Sequence, residues 1–483
     1  MQSEYSTDRR SGQALTPVDL HDGAPLGYWV KDEQGRVYHT YTADELPLTD
    51  RSPSGRVRPW RQRHRAGLML AEIYNAMGES GLPGAAGWLN KAQRLEGCAQ
   101  YVEFARAEDG QIQLHSSSFC RVRLCPMCQW RRSLKLGAQV RQVVEQANSQ
   151  HIAQTGTAWR WLMVTYTVRN VEGVDLSAAI DTIHRGLNNM AKCARWRGAV
   201  KGWLRATEVT HNTNERSASY DTYHPHMHLL LCVPAGYLSG KGYITQRQWA
   251  EMWRHYIGAD YTPIVDVRVV KPADGGRLAD LPQGEQAAAM GKACAEVSKY
   301  AAKPADYIVP SDLALSMSTV QVLDAALNRR RMTSWGGMLK DIAQQLRLDD
   351  PETGDLVHID ESASDDPIAE QIATYIAYSW TPGARDYLRV GERQGQTPAA
   401  ERAQHAADRS AVKAGRTAAQ QREDAADWWT VDAYLDAYSW DKRSSAAAKD
   451  DIRRLPRAAI ERRLQSTLDV PEDWTDDGKT QDE

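Results

Sequence analysis

The sequence predicts an α+β protein built around an antiparallel sheet. Three segments rich in β-branched and aromatic residues are typical of strands, and they cover residues 159–168, 202–210 and 223–231. Apolar residues at helical spacing over 174–195 predict a helix between the first two strands. A short polar loop separates the second strand from the third, which is the usual connection of an antiparallel hairpin.

The composition is that of a water-soluble protein. Of its 483 residues, 42% are hydrophobic and 25% are charged, and this length allows about two to four domains. The formal net charge of −3 argues against a protein that simply coats nucleic acid. We find no signal sequence at the start and no apolar run of membrane-spanning length, so we expect a cytoplasmic protein without a membrane partner.

Composition divides the chain into five parts. Residues 1–87 are expected to form a variable, partly disordered N-terminal arm, and residues 88–150 a cysteine-rich module that binds zinc and DNA. The three strands lie in a central domain over 158–310. Residues 311–390 are expected to form a helical cover with an acidic loop, and residues 391–483 a charged, alanine-rich, partly disordered tail that makes a C-terminal helical extension.

Four of the seven cysteines fall in one short window. Cys125 and Cys128 enclose two residues, a spacing that can hold one side of a tetrahedral Zn²⁺, and Cys98 with Cys120 can supply the other side. In a cytoplasmic protein such clustering favours a metal over a disulfide. The alternatives are a buried, reduced cluster and a redox pair.

Arginines are interleaved with these cysteines. Arg121 and Arg123 precede the close cysteine pair, and Arg131 and Arg132 follow it. A metal bound nearby would hold these arginines in place, which suits contacts to DNA phosphates. The plainer alternative is a solvated basic surface.

Three histidines introduce the third strand. Because side chains alternate along a strand, His226 and His228 point to one face, and this pair predicts a metal site. A structural role is the alternative for either histidine alone. Pro225 fits the beginning of a strand, and we expect His224, on the turn before it, to cap the strand rather than to orient substrate. The apolar residues that alternate to the opposite face are Met227, Leu229 and Leu231.

Glu208 on the preceding strand is the candidate third ligand. In an antiparallel hairpin, a carboxylate on one strand can lie beside a histidine pair on the other. Two imidazoles and one carboxylate bind a divalent cation and leave coordination positions open for water and a phosphate oxygen. The alternative is a cross-strand salt bridge between Glu208 and Arg205, but the histidines would then lack a third partner.

A tyrosine follows in a segment whose composition is helical up to Lys303. Glu296, Tyr300 and Lys303 are spaced to share one helix face. A neighbouring ammonium favours the phenolate, so Tyr300 could attack a phosphate while Glu296 activates a water. The alternative is an exposed helix with stabilising charge pairs. Tyr307 is a competing nucleophile, but it lies beyond Pro304, which we expect to break the helix.

Together these motifs resemble the rolling-circle plasmid replication initiators, members of the HUH nucleases, which are named for their histidine–hydrophobe–histidine motif. The resemblance extends from about residue 98 to about residue 348. Its specificity comes from the order and spacing of several motifs. The matching segments are 162–167 (LMVTYT), 203–210 (WLRATEVT), 224–228 (HPHMH), 296–303 (EVSKYAAK), the cysteine and arginine segment 119–132, and 335–340 (WGGMLK).

The resemblance implies an HUH endonuclease domain over 158–310, in which helices flank the sheet and its central strands carry the metal site. It implies a site-specific endonuclease and strand transferase that acts on single-stranded or extruded DNA at a plasmid's double-strand origin. Tyr300 would form a 5′-phosphotyrosine and release a 3′-OH for a host polymerase, with a host helicase as a further partner. Mg²⁺ or Mn²⁺ would be held by His226, His228 and Glu208.

Termination needs a second group, because the motif contains one tyrosine. We hypothesise that Glu296 activates a water for the terminal cut, before the strands are re-joined. Lys303 would support the phenolate of Tyr300.

Three other functions compete with this one. A rolling-circle transposase of the same nuclease class usually pairs two tyrosines on one helix turn, whereas the fourth residue after Tyr300 is Pro304. A conjugative relaxase carries its tyrosine before the histidine motif. A non-catalytic, zinc-stabilised DNA-binding regulator would leave the predicted metal ligands and Tyr300 without a role.

Overall fold

The structure is a computed structural model. It describes residues 28–31, 37–40, 46–52, 55–80, 84–107, 112–271, 276, 281, 289–299, 301–359 and 374–395. Much of the predicted N-terminal arm, and the predicted C-terminal tail from residue 396 onward, lie outside the described residues.

The described residues form eleven strands and ten α-helices. The strands are β1 (Tyr28–Lys31), β2 (Val37–Thr40), β3 (Tyr101–Arg106), β4 (Ile112–Ser117), β5 (Arg160–Thr167), β6 (Gly202–His211), β7 (Tyr223–Val233), β8 (Val265–Val269), β9 (Thr333–Gly337), β10 (Thr374–Thr381) and β11 (Asp386–Gln394). The helices are α1 (Trp60–Glu79), α2 (Ala85–Glu96), α3 (Pro126–Thr155), α4 (Leu176–Met190), α5 (Ala194–Ala199), α6 (Gln246–Ile257), α7 (Gly291–Val297), α8 (Pro304–Tyr307), α9 (Leu313–Leu327) and α10 (Met338–Gln345). Among the residues described, no helix is both long enough and apolar enough to cross a bilayer.

The chain divides into two compact units. The first draws its described residues from segments 1–67, 96–120 and 361–439, and the second from 68–95 and 121–360. Both contain antiparallel sheets, and helices flank the larger of these. The predicted α+β class with antiparallel sheets is therefore confirmed.

The first unit contains a four-stranded antiparallel sheet in the order β11-β10-β3-β4. Aromatic side chains fill its core: the Trp60 ring lies edge-on to Phe104, with 5.7 Å between centroids, and to Tyr387 at 6.4 Å. Two buried polar groups have partners within the unit: Trp60 Nε1 donates to Asp50 Oδ2 at 2.8 Å, and the Tyr387 hydroxyl donates to the Ala99 carbonyl at 2.7 Å.

Strands β10 and β11 form where the sequence predicted a helical cover up to residue 390. The segment Thr374–Thr381 is rich in aromatic and β-branched residues, which favour an extended chain. Tyr375 and Trp380 are buried, at 0% and 5% exposure. The helical interpretation missed this hairpin because β10 pairs with β3, about 270 residues earlier in the chain.

The second unit contains a five-stranded antiparallel sheet in the order β8-β5-β7-β6-β9. The three strands predicted from the sequence are β5, β6 and β7, and β7 lies at the centre with β5 and β6 on either side. The β6–β7 pair is the hairpin that the polar loop indicated, with Glu208 directly opposite His226.

Both faces of this sheet are covered over most of their area. On one face Met227, Leu229 and Leu231 pack with β5 against helices α4, α5 and α6. On the other face Leu230 and Cys232 pack against α3, α7 and α10. The predicted alternation of side chains between the two faces of β7 is therefore confirmed. The face that carries His226 and His228 becomes apolar only at Leu230 and Cys232, toward the end of the strand.

Two glycines let β9 approach β6. A Cβ on Gly336 would overlap the indole of Trp203, and a Cβ on Gly337 would overlap the carbonyl oxygen of Lys201. Gly337 also has a φ of 57°, which favours glycine. These contacts give the segment WGGMLK a packing role at the sheet edge.

Leu231→Ala is expected to lower the free energy of unfolding by about 2–5 kcal/mol, because Leu231 is fully buried in the sheet core. The matched control Leu238→Ala removes the same atoms from a side chain that is 43% exposed, and it should cost less than about 1 kcal/mol. Urea unfolding of both variants measures the difference. Equal stability of the two variants would contradict this placement of Leu231.

The half-buried His184, which contacts β6, should make stability depend on pH. The Nε2 of His184 lies 2.8 Å from Thr207 Oγ1, and burial, followed by the charge of Arg205, lowers the pKa of His184 to about 3. In the unfolded chain the imidazole of His184 takes up a proton near its ordinary pKa of about 6.5. The contribution of neutral His184 to the free energy of unfolding is therefore complete above pH 6.5 and is lost as the pH falls toward 3.

His184→Gln should therefore reduce the acid loss of stability between pH 7 and pH 5 by up to about 2 kcal/mol. Thermal unfolding across this range provides the measurement. His255→Gln, which changes an exposed histidine on α6, is the control and should follow the parent protein. An unchanged pH profile in His184→Gln would show that another group titrates instead.

Candidate functional site

The β6–β7 hairpin brings the three predicted metal ligands together. Glu208 Oε2 lies 3.4 Å from His226 Nε2 and 3.3 Å from His228 Nε2. All three residues are buried, at 3%, 9% and 7% exposure. Arg205, the alternative partner of Glu208, lies an odd number of residues away and so points to the opposite face, where it donates to the Arg331 carbonyl at 2.7 Å.

The carboxylate at the centre of this group is ionised. Burial alone would raise the pKa of Glu208, but hydrogen bonds from the His226 and His228 imidazoles and the positive charge of Lys303 hold that pKa well below its ordinary value. Lys303 Nζ lies 3.2 Å from Glu208 Oε1. A deprotonated carboxylate is the form that a metal ligand requires.

The surroundings of His226 are compatible with a cation between these side chains. His226 Nδ1 lies 3.1 Å from the carbonyl oxygen of His224, which can only accept, so Nδ1 carries the hydrogen. When Nδ1 carries the only ring hydrogen, the Nε2 lone pair of His226 faces the Glu208 carboxylate. Two buried acceptors at this distance repel each other unless a proton or a metal ion lies between them. Two imidazole nitrogens and a carboxylate oxygen, all within 4.8 Å of one another, could hold a divalent cation.

Two contacts that the sequence did not predict support the imidazoles. His228 Nδ1 lies 3.2 Å from Thr165 Oγ1, on the neighbouring strand β5. His224 is part of β7 and supports His226 through its backbone carbonyl, while its ring stacks beside the His226 ring at 5.2 Å. The sequence placed Thr165 on a predicted strand, but its contact with His228 follows only from the register between β5 and β7.

Glu296 and Lys303 both reach this group of candidate metal ligands. Glu296 Oε1 lies 3.6 Å from His228 Nε2 and accepts a hydrogen bond from Lys299 Nζ at 2.7 Å. Burial lowers the pKa of Lys303, but the Glu208 carboxylate outweighs burial and the net shift is upward, so the lysine is charged. Tyr300, the predicted nucleophile between them in sequence, lies outside the described residues.

The helix predicted to continue to Lys303 ends earlier, at Val297. Ser298 Oγ donates to the Cys294 carbonyl at 2.6 Å at this helix end. Lys303 is extended, with φ −80° and ψ 144°, as expected for a residue before proline. Glu296 and Lys303 therefore meet at the ligand group and not along one continuous helix face.

Tyr307, the competing nucleophile, is fully buried in α8. Its hydroxyl donates to the Leu124 carbonyl at 2.6 Å. A phenol held in this way is not accessible to a DNA phosphate, so its position argues against a nucleophilic role.

The cysteines of the predicted zinc site are free thiols, of the kind that could hold a metal ion. In the first unit, Cys98 Sγ accepts from the Cys120 backbone N–H at 3.4 Å. In the second unit, Cys128 Sγ accepts from the Arg121 N–H at 3.2 Å, and Cys125 Sγ accepts from the Cys128 N–H at 3.5 Å. A zinc ion shared by four thiolates remains a prediction.

The four arginines near the cysteines contact the loop that follows residue 348. Arg131 is 1% exposed and donates to the carbonyls of Leu356 and Val357 at 2.8 and 2.7 Å. Arg123 donates to Glu352 Oε2 at 2.8 Å. Both guanidinium groups therefore have partners within the protein. Arg131 was predicted to contact DNA phosphates, but its side chain is buried and donates to backbone carbonyls instead.

The other two arginines lie nearer the surface. Arg121 is exposed and donates to the Gly354 carbonyl at 2.9 Å, and the half-buried Arg132 donates to the Glu352 carbonyl at 3.2 Å. Their predicted contact with DNA phosphates stays a prediction.

Comparison with known proteins places the chain among replication proteins. The family model described as "Replication protein" matches residues 111–388. The chain is 39% identical over 348 residues to "Protein rep" of Bacillus amyloliquefaciens, covering 71% of this chain and 96% of that relative. It is 33% identical over 346 residues to "Protein rep" of Streptococcus pneumoniae, covering 71% and 95%. No solved structure matches the chain. The chain therefore belongs to the replication protein family, as its motifs predicted.

Proposed function

We propose that this protein initiates rolling-circle replication of a plasmid as a metal-dependent DNA endonuclease and strand transferase with the HUH fold. The observation that carries the proposal is the buried group of Glu208, His226 and His228, with Glu296 and Lys303 beside it. Membership of the replication protein family supports DNA, at the plasmid's double-strand origin, as the partner. A host helicase and a host polymerase would act on the nicked product.

Tyr300 is the proposed nucleophile. It lies three residues before Lys303 in sequence, and Lys303 reaches Glu208. The Tyr300 oxygen would attack the scissile phosphorus, forming the phosphotyrosine bond as the bond to the 3′ oxygen breaks. The departing oxygen takes up a proton and leaves as a free 3′-OH. The buried hydroxyl of Tyr307 supports Tyr300 as the choice between the two tyrosines.

Other residues would activate the phosphate and the phenol for this attack. Mg²⁺ or Mn²⁺ held by Glu208, His226 and His228 would withdraw charge from the scissile phosphate. The Lys303 ammonium would favour the phenolate form of the tyrosine.

Glu296 is the proposed base for termination. Its carboxylate is one-third exposed and lies beside the ligand group, 3.6 Å from His228 Nε2. From there it would remove a proton from a water that attacks the second phosphodiester. The bond to the 3′ oxygen breaks, and that oxygen takes up a proton and leaves as a free 3′-OH, so that the terminal cut leaves no second protein adduct.

The cysteine and arginine segment would contribute to DNA binding. Four thiolates, from Cys98, Cys120, Cys125 and Cys128, would bind one Zn²⁺. The N–H to sulfur hydrogen bonds within each pair support this arrangement. Among the arginines, Arg121 and Arg132 are the better candidates for phosphate contacts, because they are less buried than Arg131.

Tyr300→Phe should abolish a covalent protein–DNA band, because phenylalanine has no nucleophilic oxygen. The full-length protein is incubated with Mn²⁺ and single-stranded oligonucleotides tiling the DNA that flanks its own gene, and the products are separated on a denaturing gel. EDTA should also remove the band, and the matched control Tyr307→Phe should keep it. An adduct that persists in Tyr300→Phe would overturn this assignment. Specific duplex binding without any adduct would favour the non-catalytic regulator.

Glu296→Ala should separate initiation from termination. The first nick and its adduct should stay within a few-fold of the parent protein, whereas release at the terminal site should fall by about 100-fold or more, the usual loss for a general base. Time courses on an oligonucleotide carrying both cleavage sites provide the measurement. Glu251→Ala removes an exposed carboxylate on α6 and serves as the control. Normal terminal cutting in Glu296→Ala would contradict the proposed role.

A further inference from the structure

We propose that Thr165 is a positioning residue that lets His228 present its Nε2 lone pair to the metal. This inference rests on the metal site of the proposed function. Thr165 and His228 are directly opposite each other in the β5–β7 pair, so their side chains leave the sheet on the same face. Thr165 Oγ1 lies 3.2 Å from His228 Nδ1, on the side of the ring away from Glu208.

The two metal-ligating histidines are supported by different chemical groups. His226 Nδ1 faces the His224 carbonyl, which can only accept, so that ring has one neutral tautomer available. His228 Nδ1 faces a hydroxyl, which can accept or donate. The hydroxyl accepts from Nδ1–H when Nε2 is a ligand, and it donates to Nδ1 when Nε2–H is hydrogen-bonded to Glu208.

Thr165 therefore supports His228 both with and without the cation. Without the hydroxyl, the ligating tautomer would leave an Nδ1–H without a partner in a largely buried ring, since His228 is 7% exposed. Losing a buried hydrogen-bond acceptor disfavours that tautomer and so weakens the metal site.

The strand also supplies an internal control. Thr167 lies two residues further along β5, directly opposite His226. Its hydroxyl, however, donates to the Ile264 carbonyl at 2.9 Å, and His226 takes its support from His224. Two threonines of one strand thus face the two histidine ligands, and the hydroxyl of Thr165 is the one that contacts an imidazole.

The test is the affinity of the full-length, DNA-free protein for Mn²⁺, measured by titration calorimetry or electron paramagnetic resonance. The site is identified by its loss in Glu208→Gln. Thr165→Val, which keeps the side-chain shape and removes the hydroxyl, should weaken Mn²⁺ binding by about 10-fold or more. Thr165→Ser should restore binding to within about 3-fold of the parent, and Thr167→Val should leave it unchanged, because their imidazole contacts are intact.

The outcomes distinguish this inference from the function on which it rests. If the parent protein binds Mn²⁺ at the Glu208-dependent site and Thr165→Val binds it equally well, the positioning role is overturned while the metal site stands. Equal weakening in Thr165→Val and Thr165→Ser would indicate packing and would also overturn it. If the parent protein does not bind Mn²⁺ at this site, the metal site fails together with the inference.

Discussion

The carboxylate of Glu208, buried between two imidazoles, governs how the central strands of the second unit can pair. Glu208 is 3% exposed, and an ionised group at that depth is stable only when opposite charge or strong donors surround it. The β6–β7 register meets this need by pairing Glu208 with His226. A slip of one residue would turn the β7 histidines away from Glu208 and the apolar face of the strand out of its core. The apolar residues of β7 therefore hold the proposed metal ligands in register.

The same group fixes both ends of the segment that carries the proposed nucleophile. Glu296, at the end of α7, lies beside His228, and Lys303, just before α8, lies beside Glu208. Only six residues separate these two contacts in sequence, and Tyr300 is among them. Because α7 ends at Val297, the chain can turn so that Lys303 also lies beside Glu208.

Much of the site could be predicted because local rules determine it. Alternation along a strand and a short hairpin connection are enough to bring Glu208, His226 and His228 together. The contacts that the sequence did not reveal join distant segments: Arg123 and Glu352 are 229 residues apart, and Thr165 and His228 are 63 apart. Such partners depend on strand register and tertiary packing, which composition and spacing do not encode.

Locating a bound cation is the sharpest test of whether Glu208, His226 and His228 hold a metal ion. Crystals of the protein grown with Mn²⁺ and measured at the manganese absorption edge would show its position by anomalous scattering. We expect one peak within about 2.0–2.4 Å of a Glu208 carboxylate oxygen and of Nε2 of His226 and His228. Manganese found elsewhere, with these three side chains joined only by hydrogen bonds, would contradict this expectation.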